Sequence, residues 1–225
     1  MRDAVDPTLR PMRTLYHFAA SPFARRTRLG LMHKGLECEL RDARENAAWL
    51  DEVRQLVPFK TLPVLVDSGR ALGDSTAITR WLDAAYPDAP RIWPEGDDAF
   101  SVLETTALVD VALGAIIDVG TRYYALREDA AWAAVRDEIL GRAQRALDAL
   151  GQRVEGLDRP TIAKSGWSAA DMWIVTAVAW LGGLPGRIAS SPNAAQIMTV
   201  GGWRLPQSLA HWAKAHTTRA DVRAL

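Results

Sequence analysis

The stretch Thr61-Leu62-Pro63-Val64-Leu65-Val66-Asp67, followed closely by Gly73-Asp74-Ser75-Thr76-Ala77-Ile78, decides the fold of this chain. Proline has no N–H to give to a ladder, so Pro63 cannot lie inside a central strand. It fits ahead of the strand, turning the chain through a cis bond that only X-Pro forms at low cost. Leu62 is then placed to show its backbone polar groups to solvent or a ligand. Asp74-Ser75 opens an amphipathic helix, and a helix N-terminus offers free N–H groups to a carboxylate. Together the two features describe a site for a short, extended, peptide-like ligand that carries a carboxylate.

Working outward, residues 63–67 and 70–72 pair as a hairpin through Asp67-Ser68-Gly69, and a helix runs from Ser75 to about Tyr86. Upstream, residues 13–18 read as a short strand. A helix then starts at Pro22, with Ser21 as its cap and Gly35 as its stop. Residues 36–41 alternate, with Leu36, Cys38 and Leu40 on one face, which is a strand pattern; residues 44–56 are predicted helical. The order βαβ then αββα needs crossovers, so the sheet is predicted to be mixed. Pro87, Pro90 and Pro94 mark a linker, and beyond it the helices predicted are 97–126, 129–153, 168–182 and 205–216. Residues 183–204, rich in Gly and Pro, read as a long surface loop. The expected domains are 1–88, α/β, and 89–225, an all-α bundle.

Bulk composition narrows the function classes. The 27 basic and 27 acidic residues cancel, so neither a nucleic-acid nor an anionic-membrane partner is expected. Cys38 is the only cysteine, which excludes disulfide frameworks, CxxC redox pairs and cysteine zinc clusters. His17, His33, His211 and His216 lack metal-ligand spacing, so no metal is expected. No apolar run approaches the roughly 20 residues of a membrane span, and residues 1–12 lack the apolar block of a signal peptide. A cytoplasmic protein is the expectation.

Several residues carry two readings each. Ser21 sits where the first strand meets the first helix, at a strand carboxyl end where α/β sheets gather ligands. Its hydroxyl can donate to an anion there, or it can simply cap the helix. Asp74 and Ser75 can likewise cap or bind. Arg25, Arg26 and Arg28 read as a solvated helix face. Alternation predicts that one of Tyr16 and His17 is buried and the other turned outward. Ser168-Ala169-Ala170-Asp171 is a capping box, with Trp167 and Met172 spaced as a hydrophobic staple.

These blocks resemble a cytosolic glutathione transferase, of the serine type found in bacteria, and the resemblance covers both domains. It rests on Leu15-Tyr16, Ser21-Pro22-Phe23-Ala24-Arg25-Arg26-Thr27-Arg28-Leu29, Leu62-Pro63-Val64-Leu65, Asp74-Ser75-Thr76-Ala77-Ile78 and the Ser168–Asp171 box. His211-Trp212 through Arg219-Ala220-Asp221-Val222-Arg223 resembles the closing segment. The resemblance implies a thioredoxin-like N-terminal domain and a helical C-terminal domain. It implies that Leu62 bonds the cysteinyl backbone of glutathione, that Pro63 is cis, and that Asp74 and Ser75 hold the γ-glutamyl end. It also implies that Ser21 hydrogen-bonds the sulfur. Val57-Pro58-Phe59-Lys60-Thr61 departs from the family's Asn-Pro-x-Gly-Lys: the usual glutathione-contacting lysine falls at Thr61, and Lys60, one place early, is the candidate contact.

The implied activity is attack of the glutathione thiolate on a small hydrophobic electrophile, a detoxification reaction. Glutathione is the cosubstrate, no bound cofactor is implied, and a homodimer is. Leu113, Ile117 and Tyr124 share one helical stripe and are expected to line an electrophile pocket between the domains, unless packing within the bundle consumes them. The rival readings are a non-catalytic binding or scaffold protein, a cysteine-type thiol–disulfide oxidoreductase, and a glutathione-using lyase, isomerase or dehalogenase. Ser21 in the position of a nucleophilic cysteine opposes the oxidoreductase.

Overall fold

The computed structural model describes residues 13–225; residues 1–12, where the signal-peptide question falls, lie outside the described residues. The packing divides the chain into one unit that runs to Ile92 and takes in Ala224–Leu225, and a second unit, Trp93–Arg223.

The first unit is a four-stranded mixed sheet in the order β2-β1-β3-β4, with β1 (Thr14–His17) parallel to β2 (Glu39–Asp42) and antiparallel to β3 (Val64–Asp67). Strand β4 (Arg70–Gly73) closes the hairpin on β3. Three helices accompany it: α1 (Pro22–His33), α2 (Ala48–Leu56) and α3 (Ser75–Ala85). Val53 and Val57 pack with Tyr16 and Val64 on one face of the sheet, with Trp49 and Leu62 at the margin. Leu15 and Leu65 point to the opposite face, where α1 and α3 lie side by side.

Because both faces are covered, Tyr16 and His17 are both buried, against the expectation that one would turn outward. Alternation predicts an exposed residue only where one face meets water. The strand expected at 36–41 begins later, at Glu39, and Leu40 is exposed because β2 is an edge strand. The residues after α3 fold back onto it. Lys34 Nζ pairs with Asp83 at 3.0 Å and donates to Tyr86 O at 3.0 Å, while Ile92 N–H donates to Asp83 Oδ1 at 3.0 Å. Those bonds keep the chain with the first unit as far as Ile92.

The second unit is helical: α4 (Asp97–Leu126), α5 (Trp132–Glu155), α6 (Ala169–Gly182), α7 (Pro192–Val200), α8 (Gln207–Ala215) and the short α9 (Ala220–Arg223). Helix α6 is apolar all round and buried along almost its whole length, as such a helix must be. Asp171 and Ser168 form the expected capping box at its start. Trp93 enters the unit edge-on to Trp173, ring centroids 5.3 Å apart.

Residues 183–204 are not the loop expected from their glycines. They hold a 3₁₀ turn, Pro185–Arg187, and α7. Ser191 caps α7, accepting from Ala194 N–H at 3.3 Å, and Pro192 takes its first turn. Gly120 lets α7 approach α4 closely: a Cβ there would lie 2.2 Å from Ile197 Cγ1 and 3.2 Å from its Cα.

Helix α4 also corrects the expectation that no segment is apolar enough to span a bilayer. It is long and apolar enough by length and composition. Its apolar residues divide between a face packed on α5, α6 and α7 and an exposed stripe containing Phe100, Leu103 and Val111.

Candidate functional site

The strand register brings three segments together at one end of the sheet. Tyr16 pairs with Val64, and Val64 pairs with Gly73. The residues next off that rung are His17 at the end of β1, Pro63 just before β3 and Asp74 just after β4. The turn after β1, the Leu62-Pro63 step and the start of α3 are therefore neighbours. The Leu62–Pro63 peptide is cis.

The loop before it, Val57 to Thr61, is held by Phe59, whose ring lies over Gly73. A Cβ on Gly73 would sit 2.4 Å from that ring, so glycine is required for the contact. Lys60 is exposed and has a φ of 54°.

Asp74 also has a positive φ, 71°, and its Oδ1 accepts from Thr76 N–H and Ala77 N–H, both at 2.9 Å. It is the N-cap of α3, and Oδ2 makes no hydrogen bond among the described residues. Ser75 is 1 % exposed. Its Oγ accepts from Arg26 Nε at 2.8 Å, and its carbonyl accepts from Thr79 Oγ1 at 2.9 Å.

Arg26 is thus no part of a solvated face. It is 2 % exposed, with its guanidinium carbon 4.8 Å from the Phe23 ring centroid. Its neighbours on α1 are also engaged. Arg25 Nε donates to Ala19 O at 3.1 Å, and Arg28 donates to Ala224 O at 3.1 Å and Leu225 O at 3.4 Å. The sequence held a signal for Arg26: with Pro22, Leu29 and Gly30 it stands at i, i+4, i+7 and i+8, on the buried stripe of α1.

Ser21 is half-buried in the turn between β1 and α1. Its N–H donates to Phe18 O at 2.9 Å, and its Oγ accepts from Ala24 N–H at a long 3.4 Å. It caps α1, yet its own hydroxyl proton goes to no acceptor among the described residues. Asp42 Oδ2 accepts from Ala19 N–H at 3.0 Å and pins the turn. His17, 3 % exposed, lies at the same strand end, with Nδ1 unpartnered among the described residues. Burial, and then the positive charge of Arg28, lower its pKa below the usual histidine value.

The three residues expected in an electrophile pocket lie in different surroundings. Leu113 is 1 % exposed and, with Val109, Leu150 and Ile174, borders a void of about 10 Å³ inside the helical unit. It is core, which corrects its placement in a pocket. Ile117 is half-buried. Tyr124 is 51 % exposed, edge-on to Tyr123. The three share a stripe, but α4 runs past its packing partners near Gly120, so burial ends there.

A mixed four-stranded sheet with a cis-proline turn, followed by a helical unit, is a thioredoxin-like domain joined to an all-helical one. Residues 15–90 match the glutathione S-transferase N-terminal domain family, so this part of the chain is similar to the N-terminal domain of glutathione transferases. A probable glutathione S-transferase GSTU1 of rice (Oryza sativa subsp. japonica) is 31 % identical over 147 residues, which are 62 % of this chain and 62 % of the rice protein. A glutathione S-transferase of Methylobacterium radiotolerans, solved with glutathione sulfonate, superposes with a TM-score of 0.73 at 21 % identity, covering 95 % of this chain and 94 % of that one. One from Methylobacillus flagellatus with glutathione bound gives 0.70 at 23 % identity, covering 94 % and 98 %.

Proposed function

We propose that this protein is a glutathione transferase that binds glutathione at the end of its mixed sheet. What carries the reading is the meeting of the cis Leu62–Pro63 step with the Asp74–Ser75 helix start and the Ser21 turn. Glutathione is an extended tripeptide with a zwitterionic γ-glutamyl end, and the site complements it. Leu62 bonds the cysteinyl backbone. Asp74 Oδ2 takes the ammonium, and Ser75 with the α3 N-terminus takes the carboxylate. Lys60 attracts the glycyl carboxylate. The matching solved structures from M. radiotolerans and M. flagellatus hold glutathione sulfonate and glutathione, which supports the same ligand here.

Ser21 supplies the chemistry. A free thiol has a pKa of about 8.5. A hydroxyl donor and the N-terminus of α1 both favour the thiolate. A shift of about two units corresponds to roughly 2.7 kcal/mol. The thiolate then attacks a small hydrophobic electrophile.

The working form is a cytoplasmic homodimer. The exposed stripe of α4, Phe100, Leu103, Ala107, Val111 and Gly114, supports this. It is about 21 Å long at 1.5 Å per residue, and an apolar stripe of that kind marks an interaction surface. The occupant proposed is a second copy of the chain.

Calorimetric titration with glutathione, paired with a conjugation assay on a chlorodinitrobenzene, tests the reading. Binding with turnover is expected. Binding without turnover favours the scaffold alternative, and failure to bind at millimolar glutathione overturns the assignment.

A further inference from the structure

We propose that Arg26 is a positioning residue for the ligand's γ-glutamyl carboxylate, acting through the hydroxyl of Ser75; this rests on the glutathione reading of the site. A serine hydroxyl has one proton to give and two lone pairs. Arg26 Nε fills one lone pair of Ser75 Oγ at 2.8 Å, inside the protein, where both residues are almost fully buried. The guanidinium cannot accept a hydrogen bond, so the hydroxyl proton must point away from it. Among the described residues that proton has no acceptor.

Left alone, a serine at the first position of a helix turns its hydroxyl toward nearby backbone groups. Here a charged donor sets its orientation. A hydroxyl that accepts from a cation is polarised, and so donates more strongly to an anion. Only 1 % of Ser75 is exposed, so its proton can be met by no more than one small acceptor atom. A single carboxylate oxygen fits that description.

The guanidinium is itself fixed. Its carbon stands 4.8 Å from the Phe23 ring centroid, and the residue lies on the buried stripe of α1. Arg26 therefore links the helix that starts at Ser21 to the helix that starts at Ser75. The thiol end and the carboxylate end of one tripeptide are set at a common spacing.

The test compares wild type, Arg26→Lys, Ser75→Ala and the double variant by calorimetric titration. Two probes are used: glutathione, and 4-aminobutyryl-cysteinyl-glycine, which lacks only the γ-glutamyl carboxylate. Lysine keeps the charge but not the Nε donor geometry. Arg26→Lys is expected to weaken glutathione about tenfold and leave the analogue unchanged. Ser75→Ala should do the same, and the double variant should lose no more than either single one. Equal losses for both probes, or an Arg26→Lys effect that persists in Ser75→Ala, overturn the proposal. If Arg26→Lys does not fold, Ser75→Ala decides alone, since undiminished glutathione affinity in that variant refutes the role. Wild type that binds neither probe overturns the glutathione reading itself. Wild type that binds both probes equally overturns only the carboxylate contact.

Discussion

Replacing Asp171 with Asn probes a fully buried side chain of the helical unit that accepts three hydrogen bonds. Asp171 is 0 % exposed, and its two oxygens divide three donors: Ile162 N–H at 2.8 Å on Oδ1, and Ser168 N–H at 2.9 Å and Ser168 O–H at 2.8 Å on Oδ2. An asparagine has one oxygen. Whichever way its amide is turned, the NH₂ faces a backbone N–H. A buried donor left unmet costs about 1–3 kcal/mol and a lost cap about 1 kcal/mol, so about 2–4 kcal/mol is expected at pH 7. For a chain of this size that is roughly 5–15 °C in Tm.

The pH dependence sharpens the test. Burial raises Asp171 from 3.8 to about 6, against the opposing pull of its donors. A carboxyl raised in the folded state binds its proton more tightly there than in the unfolded chain. Its contribution to stability is fully present below pH 3.8 and is lost as the pH climbs through about 6. The rise from 3.8 to about 6 corresponds to about 3 kcal/mol. Asparagine binds no proton in this range, so the gap between wild type and Asp171→Asn widens by up to that amount on going from pH 7 to pH 4. Urea unfolding at several pH values, followed by tryptophan fluorescence, measures it. A gap that narrows on acidification refutes the reasoning, because it means the three donors hold the carboxylate below its ordinary range.

Ser21→Ala removes the thiolate's donor, so the pKa of bound glutathione should rise by about one unit, the worth of one hydrogen bond to a charged group. Thiolate ultraviolet absorbance against pH reads this directly, and an unaltered titration curve returns Ser21 to helix capping. Phe100→Asp places a charge in the exposed stripe of α4, where Phe100 is 76 % exposed. Light scattering at micromolar concentration should give a dimer mass for wild type and a monomer mass for the variant; a monomeric wild type removes the second copy from the account.

Much of the fold and part of the site were legible in the sequence, for a local reason. Caps, turns and proline steps are decided by residues within about four positions of each other. Ser21-Pro22, Asp74-Ser75, the Ser168–Asp171 box and the order of strands and helices in the first unit could therefore be read directly. Ser191-Pro192 starts α7 in the same way, inside a stretch whose glycines read as a loop; Gly183 ends α6, and Gly201 with its positive φ ends α7. Partner choice is another matter. A stripe of residues says that something must be covered, not what covers it. Leu113 and Tyr124 lie on one stripe, yet one is core and the other half-exposed, because the other helices of the unit pack along only part of α4. The sequence shows Arg26 among three arginines. Only the packing of α1 beside α3 puts its charge against Ser75, because a hydrogen bond between residues 49 positions apart has no local signature.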